Sequence, residues 1–318
     1  MLSDKEYFSG KTILVTGASG FVGVHLIEYL KQLHCSIRVI TRKKIEFCDN
    51  HFCDFPSDNL DPIALEKVDI VIHLAGYAHD TSNKENVQKY ININTNFTTE
   101  LAQLASLAKV KKFIYISSVK AGGEPKSGLD NTEINQSEPE GNYGLSKRNA
   151  ELNLLGISKE SEMAISIIRP ALVYGPNLKG NLELMYEGIK SGWFPPVPQT
   201  NNRRSLIHVD DLVLSILFIA KQQKSDREIY IVTDNNFYST RDLYKTFCKL
   251  QGRKPPTWVI PLFLFKLVGL INGRLDHKIN KLLGDEGYSS NKISELGFTP
   301  KKSFSDMDRS DFIEIKKN

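Results

Sequence analysis

A short apolar run, Lys11–Thr16, leads into Gly17-Ala18-Ser19-Gly20-Phe21-Val22-Gly23. Behind it Phe21, Val24, Leu26, Ile27 and Leu30 recur at helical spacing. No other stretch constrains the fold as strongly, because a strand, a turn with glycines at G-x-x-G-x-x-G and a helix form a variant of the dinucleotide-binding fingerprint. Gly17 permits a tight turn, Gly20 lets a pyrophosphate approach the backbone, and Gly23 lets helix and strand pack closely. The free N–H groups at the start of the helix then face the anion. Ser19, Phe21 and Val22 lie between these glycines and join them as candidate cofactor contacts. A tight βα turn that binds nothing has the same glycines. The setting near the N-terminus, after a strand and before a helix, favours the dinucleotide.

The pattern continues. Ile37–Thr41 and Val68–Leu74 read as strands, Asn94–Lys109 as a helix, Lys112–Ser117 as a strand, Tyr143–Leu155 as a helix and Ile165–Ile168 as a strand closed by Arg169-Pro170. Such alternation predicts an α/β fold: a Rossmann-type doubly wound parallel sheet. After Gly175-Pro176 the chain becomes rich in Asn, Gly and Pro. We therefore expect residues 1–176 to form the dinucleotide domain, 206–235 to return to it, and 177–318 to form mainly a smaller α/β substrate domain. A chain of 318 residues that is 41% hydrophobic and 25% charged excludes disorder, collagen and coiled coil as its main architecture. The net charge of +4 is too small to indicate a nucleic-acid binder but suits a small anionic substrate. Four cysteines are too few for a disulfide scaffold and point to a reducing compartment. The first ten residues read as polar and as leading directly into a strand, without a signal peptide, so a cytoplasmic location is expected. Trp258–Ile271 is the longest apolar stretch; with Pro261 and Lys266 inside it, it reads as an amphipathic helix packed in a domain, too short to span a bilayer.

The second strand ends in Thr41-Arg42-Lys43-Lys44, where an acidic residue would bind the adenosine ribose of NAD. A guanidinium suits a 2′-phosphate instead, so Arg42 tilts the expectation to NADP over NAD. Asp54 could present a carboxylate to the adenine amino group, and Leu74-Ala75-Gly76 ends a strand with the small residues that close cofactor approach requires. Tyr143 and Lys147, four apart on a helix, share one face. An ammonium there can lower the phenol pKa and let it work as acid and base. By itself the pair reads as an ordinary surface contact. It gains meaning from Ser118, at the end of a strand and able to hydrogen-bond the same substrate oxygen as Tyr143.

Taken together, Gly17/Gly20/Gly23, Leu74-Ala75-Gly76, Asn94, Ser118, Tyr143/Lys147, Arg169-Pro170-x-x-Val173-Tyr174-Gly175-Pro176 and the late Glu295-Leu296-Gly297-Phe298-Thr299-Pro300 resemble the extended short-chain dehydrogenase/reductases, the nucleotide-sugar epimerase/dehydratase group. The resemblance implies that Tyr143 is proton donor and acceptor, that Lys147 holds the nicotinamide ribose, and that Ser118 assists. It also implies that Asn94, Pro170 and Val173 line the cofactor, although Phe97 stands where the family has a small glycine. Asn202-Arg203-Arg204-Ser205-Leu206-Ile207-His208-Val209-Asp210 matches the family's substrate segment. Arg204 then corresponds to the clamp on a nucleotide diphosphate, Arg203 and Asn181 are further substrate contacts, and His208 is structural.

The same resemblance frames the reaction. Dehydratases of the family carry an Asp-Glu pair after the strand serine or threonine; here Ser118 is followed by Val119-Lys120, so dehydration is disfavoured. Lys120 occupies the position of a second active-site hydroxyl. What remains is reduction of a UDP-4-keto-6-deoxy-N-acetylhexosamine for surface polysaccharide, favoured narrowly through Arg42, or 4-epimerisation of a UDP-sugar. A non-catalytic NADP-binding sensor would lack the Tyr/Lys pair. Cys48, His51 and Cys53 have tight metal-like spacing without a fourth ligand, so no metal is expected. Leu101, Leu104, Ala105, Ala108, Leu152 and Leu155 permit the helix-paired homodimer common in the family.

Overall fold

The computed structural model describes residues 2–78, 84–135, 137–139, 141–258, 260–261, 263 and 282–308. The helix expected over Trp258–Ile271 falls almost wholly outside them. Seven strands form one sheet in the order β3-β2-β1-β4-β5-β6-β9. They are β1 Thr12–Thr16, β2 Ser36–Thr41, β3 Asp49–Phe52, β4 Ile70–His73, β5 Lys112–Ile116, β6 Ala164–Pro170 and β9 Ile229–Val232. Every pairing is parallel; Ile13, for example, lies between Ile37 and Ile70. The order reverses beside β1, and in such sheets the crevice outside the strands' carboxyl ends at that reversal receives the ligand.

The strands read as continuous apolar runs because both faces are covered. Side chains alternate across the pleat, so Ile13 and Val15 of β1 enter one core layer and Leu14 the other. The first layer is closed by helices α2 (Phe21–Leu30) and α7 (Val209–Lys221) through Leu26, Leu30, Ile216 and Leu217. The second is closed by α4 (Phe97–Leu107) and α5 (Gly141–Glu160) through Leu101, Ala105, Ala150 and Leu154. A smaller core gathers Tyr174, Met185, Leu206, Phe247 and Phe304. It lies around α6 (Asn181–Ser191), α8 (Thr240–Leu250) and a two-stranded parallel sheet of β7 (Leu172–Tyr174) and β8 (Leu206–His208). After β6 the chain thus leaves the main sheet and rejoins it with α7 and β9.

The structure corrects three expectations. Residues before β1 do not lead straight into a strand: Asp4–Phe8 is a helix, α1, closed by a Ser3/Glu6 capping box, and it buries Phe8 completely. One turn is too short to reveal itself by periodicity. Asn94 does not open an ordinary helix either. It lies in a π-helical segment, Ile91–Asn96, between α3 (Lys84–Tyr90) and α4. Finally, Leu101 and Ala105 do not offer a face to a second copy, because both point into the second core layer; of the residues named for pairing, Ala108 and Leu152 are exposed. Among the described residues no helix is long and apolar enough to cross a membrane.

Candidate functional site

The glycine turn is shaped by space. Gly17 has φ +70°, and a Cβ there would lie 2.7 Å from the Ala75 nitrogen, so the β1 and β4 exits touch backbone to backbone. A Cβ on Gly23 would lie 2.2 Å from the Gly17 carbonyl oxygen, which forces the first turn of α2 onto the loop. Ala75 N–H donates to the Thr16 hydroxyl at 3.2 Å and ties the two exits together. Gly20 caps α2 without any side-chain acceptor, and Ser19 and Gly20 are exposed. The first N–H groups of α2 therefore have no side-chain cap, the condition for holding a phosphate.

From Ala75 the site continues to Gly76, where a Cβ would lie 3.1 Å from the Lys147 ammonium nitrogen and 3.2 Å from Asn94 Oδ1. Asn94 is fully buried. Its Oδ1 accepts from Tyr77 N–H at 2.7 Å, and its amide donates to the Tyr77 carbonyl at 3.0 Å and to Ser146 Oγ at 2.9 Å. The π-helical segment aims this side chain at the β4 loop and at α5 together, as such segments do at functional sites. Phe97, in the place of a small glycine, packs into the core between Phe55 and His73.

Lys147 is 3% exposed; it donates to the Ile116 carbonyl at 2.9 Å and lies 4.7 Å above the Tyr115 ring. Burial lowers its pKa to about 8, opposed by Glu151 one helical turn further on. His73 beneath the sheet edge is held neutral, near 3, by burial and by the Lys147 charge; it hydrogen-bonds Thr16 at 2.6 Å and Thr98 at 2.8 Å. Ser118 follows β5 in extended conformation, and its hydroxyl is near enough to the Tyr143 phenol to influence its ionisation. Burial pushes that phenol above its ordinary value, and the Ser118 hydroxyl pulls the other way. Tyr143, Lys147, Ser118, Asn94, Gly76 and Gly17 are thus one connected constellation on the carboxyl edge of the sheet. Pro170 ends β6 on that same edge, and Val173 follows it in β7.

The remaining candidates lie apart. Arg42 and Asp54, at the exits of β2 and β3, form a 3.9 Å ion pair with both side chains well exposed. Asn181 begins α6 on the surface. Arg203 pairs with Asp130 and stacks 3.7 Å over the Phe237 ring. Arg204 donates to Glu286 at 2.7 Å and to the Leu282 carbonyl at 3.1 Å, while Lys120 donates to the other Glu286 oxygen at 2.6 Å. Lys120 N–H also donates to Ser118 Oγ at 3.2 Å, so Ser118, Lys120, Glu286 and Arg204 form a chain from the sheet edge into the smaller unit. His208 is fully buried, and its Nδ1 accepts from Asp210 N–H at the start of α7.

Sequence reading did not single out Glu286, Glu151 or His73. Glu151 could have been found, since it extends the Tyr143/Lys147 spacing by another four residues. Glu286 could not, being 166 positions from Lys120. Cys48 and Cys53 pack against different core layers, and among the described residues no group of three metal-ligating side chains gathers.

Residues 13–233 match the model of a family described as NAD dependent epimerase/dehydratase. The chain is 31% identical over 301 residues to a UDP-glucose 4-epimerase of Vibrio cholerae, with 91% of each chain covered. It is 25% identical over 332 residues to the N-acetyl-alpha-D-glucosaminyl-diphospho-ditrans,octacis-undecaprenol 4-epimerase of Escherichia coli O157:H7, covering 96% of this chain and 97% of the relative. Among solved structures, the UDP-N-acetylglucosamine 4-epimerase from Bacillus cereus superposes with a TM-score of 0.75 at 19% identity, over 93% of this chain and 96% of that one. At that identity the superposition bears on the fold alone.

Proposed function

The chain belongs to the NAD-dependent epimerase/dehydratase family, the extended short-chain dehydrogenase/reductases, and from that premise we propose that it is an enzyme inverting carbon 4 of a UDP-sugar with a retained NAD. One observation carries the reading: the Tyr143 phenol beside Ser118, with the buried Lys147 one helical turn along and only Val119, Lys120, Ala121 and Gly122 in the turn after Ser118. That turn offers no carboxylate for the additional proton transfers of a dehydration. One acid/base group suffices to move the proton of one hydroxyl while hydride leaves and returns at the same carbon.

The glycine cradle and the uncapped start of α2 fit a dinucleotide pyrophosphate. Gly76, Asn94 and Lys147 would border its nicotinamide end, and Arg42 with Asp54 its adenosine end. The nicotinamide, when bound, supplies hydride acceptance and return. Tyr143 takes the proton from the 4-hydroxyl and gives it back to the 4-keto oxygen. Ser118 holds that oxygen against the phenol, and the Lys147 charge favours the phenolate that burial otherwise disfavours. Arg42 is relevant to the choice of cofactor. Its pairing with Asp54 sets a carboxylate beside any 2′-phosphate and leaves an acceptor for ribose hydroxyls, which supports NAD over the NADP expected from Arg42 alone.

The second reading is reduction of a UDP-4-keto-6-deoxy-N-acetylhexosamine with consumed cofactor. It is favoured by the run Arg42-Lys43-Lys44. Incubation of the purified protein with UDP-glucose or UDP-N-acetylglucosamine and no added cofactor, followed by proton NMR, separates the two. Appearance of the 4-epimer supports the proposal. An unchanged substrate, together with NADPH oxidation by a 4-keto sugar, replaces it with the reductase.

A further inference from the structure

Tyr143, Lys147 and Glu151 follow one another at four-residue spacing along α5, which stacks them on one face. The last of these carries out no step in the mechanism above. Glu151 is 1% exposed and is gripped by Arg169, itself 1% exposed: Arg169 Nε donates to one carboxylate oxygen at 2.9 Å and Nη2 to the other. Arg169 comes from β6, one residue before Pro170, and its Nη1 lies against Gly122, where a Cβ would approach to 3.3 Å. A fully buried ion pair is a poor source of stability, since apolar residues of similar volume often do as well or better. Its position at the foot of the Tyr143–Lys147 ladder gives it another use.

We propose that Glu151, held by Arg169, is a positioning residue that keeps the buried Lys147 protonated and so sustains the acid/base work of Tyr143. The inference rests on the assigned roles of Tyr143 and Lys147, not on the identity of the sugar. Lys147 has few other charges around it. From β4 it faces His73, which is neutral; from β5 the Tyr115 ring and the Ile116 carbonyl; from the π-helical segment the Asn94 amide; on α5 Tyr143 on one side and Glu151 on the other. Burial drives the ammonium towards its neutral form, and among the described residues Glu151 is the anion that opposes it. Arg169 engages both oxygens of that carboxylate and fixes it in place on α5. Without Glu151, Lys147 would lose its proton at lower pH, and at neutral pH the phenolate would lose its cation.

The test reads Lys147 itself. In full-length protein labelled with 15N at the lysine side chains, the Lys147 Nζ signal, assigned by its loss in Lys147→Arg, is followed against pH. Glu151→Gln is expected to lower the Lys147 midpoint by about one unit or more, a tenfold loss of proton affinity. Because that variant leaves Arg169 buried without its partner, Glu151→Met/Arg169→Met serves as a second variant that removes both charges. It is expected to shift the midpoint in the same direction by a smaller amount. The alkaline limb of turnover should move with the midpoint, which a merely structural role would not produce. A midpoint unchanged in the double variant overturns the inference. Failure of the wild-type protein to turn over any UDP-sugar would instead overturn the proposed function and leave the NMR titration to decide this question alone.

Discussion

On the cofactor side of the sheet edge, residues meet through absent side chains. Gly17 lies on Ala75, Gly23 on Gly17, and Gly76 on Lys147 and Asn94. On the substrate side they meet through charge: Arg203 holds Asp130, and Glu286 accepts from both Lys120 and Arg204. The first arrangement is a demand on space, satisfied before any ligand arrives. The second is a set of cations already matched by internal carboxylates; if Arg204 holds a diphosphate as proposed, that diphosphate would compete with Glu286 for the same donors. In the proposed reading the glycine cradle is preformed for its cofactor, and the Lys120–Glu286–Arg204 group would exchange partners on binding substrate.

The largest expected effect concerns the point where the two sides meet. Tyr143→Phe should lower turnover by about 10²–10⁴-fold while leaving nicotinamide affinity unchanged, since it removes a proton carrier and not a wall of the cradle. Steady-state rates and a cofactor fluorescence titration check both halves. Turnover within a few-fold of wild type would falsify the role of Tyr143. Next, Gly23→Ala should destabilise the fold by about 1–3 kcal/mol through overpacking against the Gly17 carbonyl, and should release the retained cofactor. Thermal melting with assay of bound nucleotide measures this; a well-folded variant with full cofactor content would show that the turn can relax.

The substrate side should respond in the opposite sense. Glu286→Gln removes the competing carboxylate, so UDP should bind roughly three- to tenfold more tightly at low ionic strength, with the gain shrinking as salt rises. Calorimetry at two salt concentrations decides it, and weaker binding would make Glu286 a scaffold for Arg204. Turnover should also fall as pH rises through about 8, where Lys147 loses its proton. The smallest effect is expected at Arg42. Its pair with Asp54 is exposed, so Arg42→Ala should alter the ratio of NADPH to NADH affinity by less than about tenfold.

How much of this was legible in the sequence follows the same division. The strands and helices that carry the glycine cradle, Ser118 and Tyr143/Lys147 are written in local periodicity, so β1, α2, β4, β5 and α5 stand near where their patterns predict them. Gly17 and Gly23 are readable because a missing Cβ at a turn has few meanings. Asn94 was legible as a residue but not as part of a π-helical segment, since that geometry leaves no period of its own. Arg203 and Arg204 were legible as cations, but their partners Asp130 and Glu286 lie 73 and 82 positions away, and no local pattern encodes such pairing. Arg169 is legible as the close of a strand and as the first residue of the Arg-Pro-x-x-Val-Tyr-Gly-Pro string, whereas its carboxylate partner is set by how α5 packs on β6.

The central claim is that hydride is borrowed and returned within one turnover. The most direct measurement is on purified protein with no added cofactor: denature it, then identify and quantify the nicotinamide nucleotide released. The account predicts NAD at close to one equivalent per chain. An empty site that takes up NADPH in preference to NADH would contradict it and make the reaction a consuming reduction.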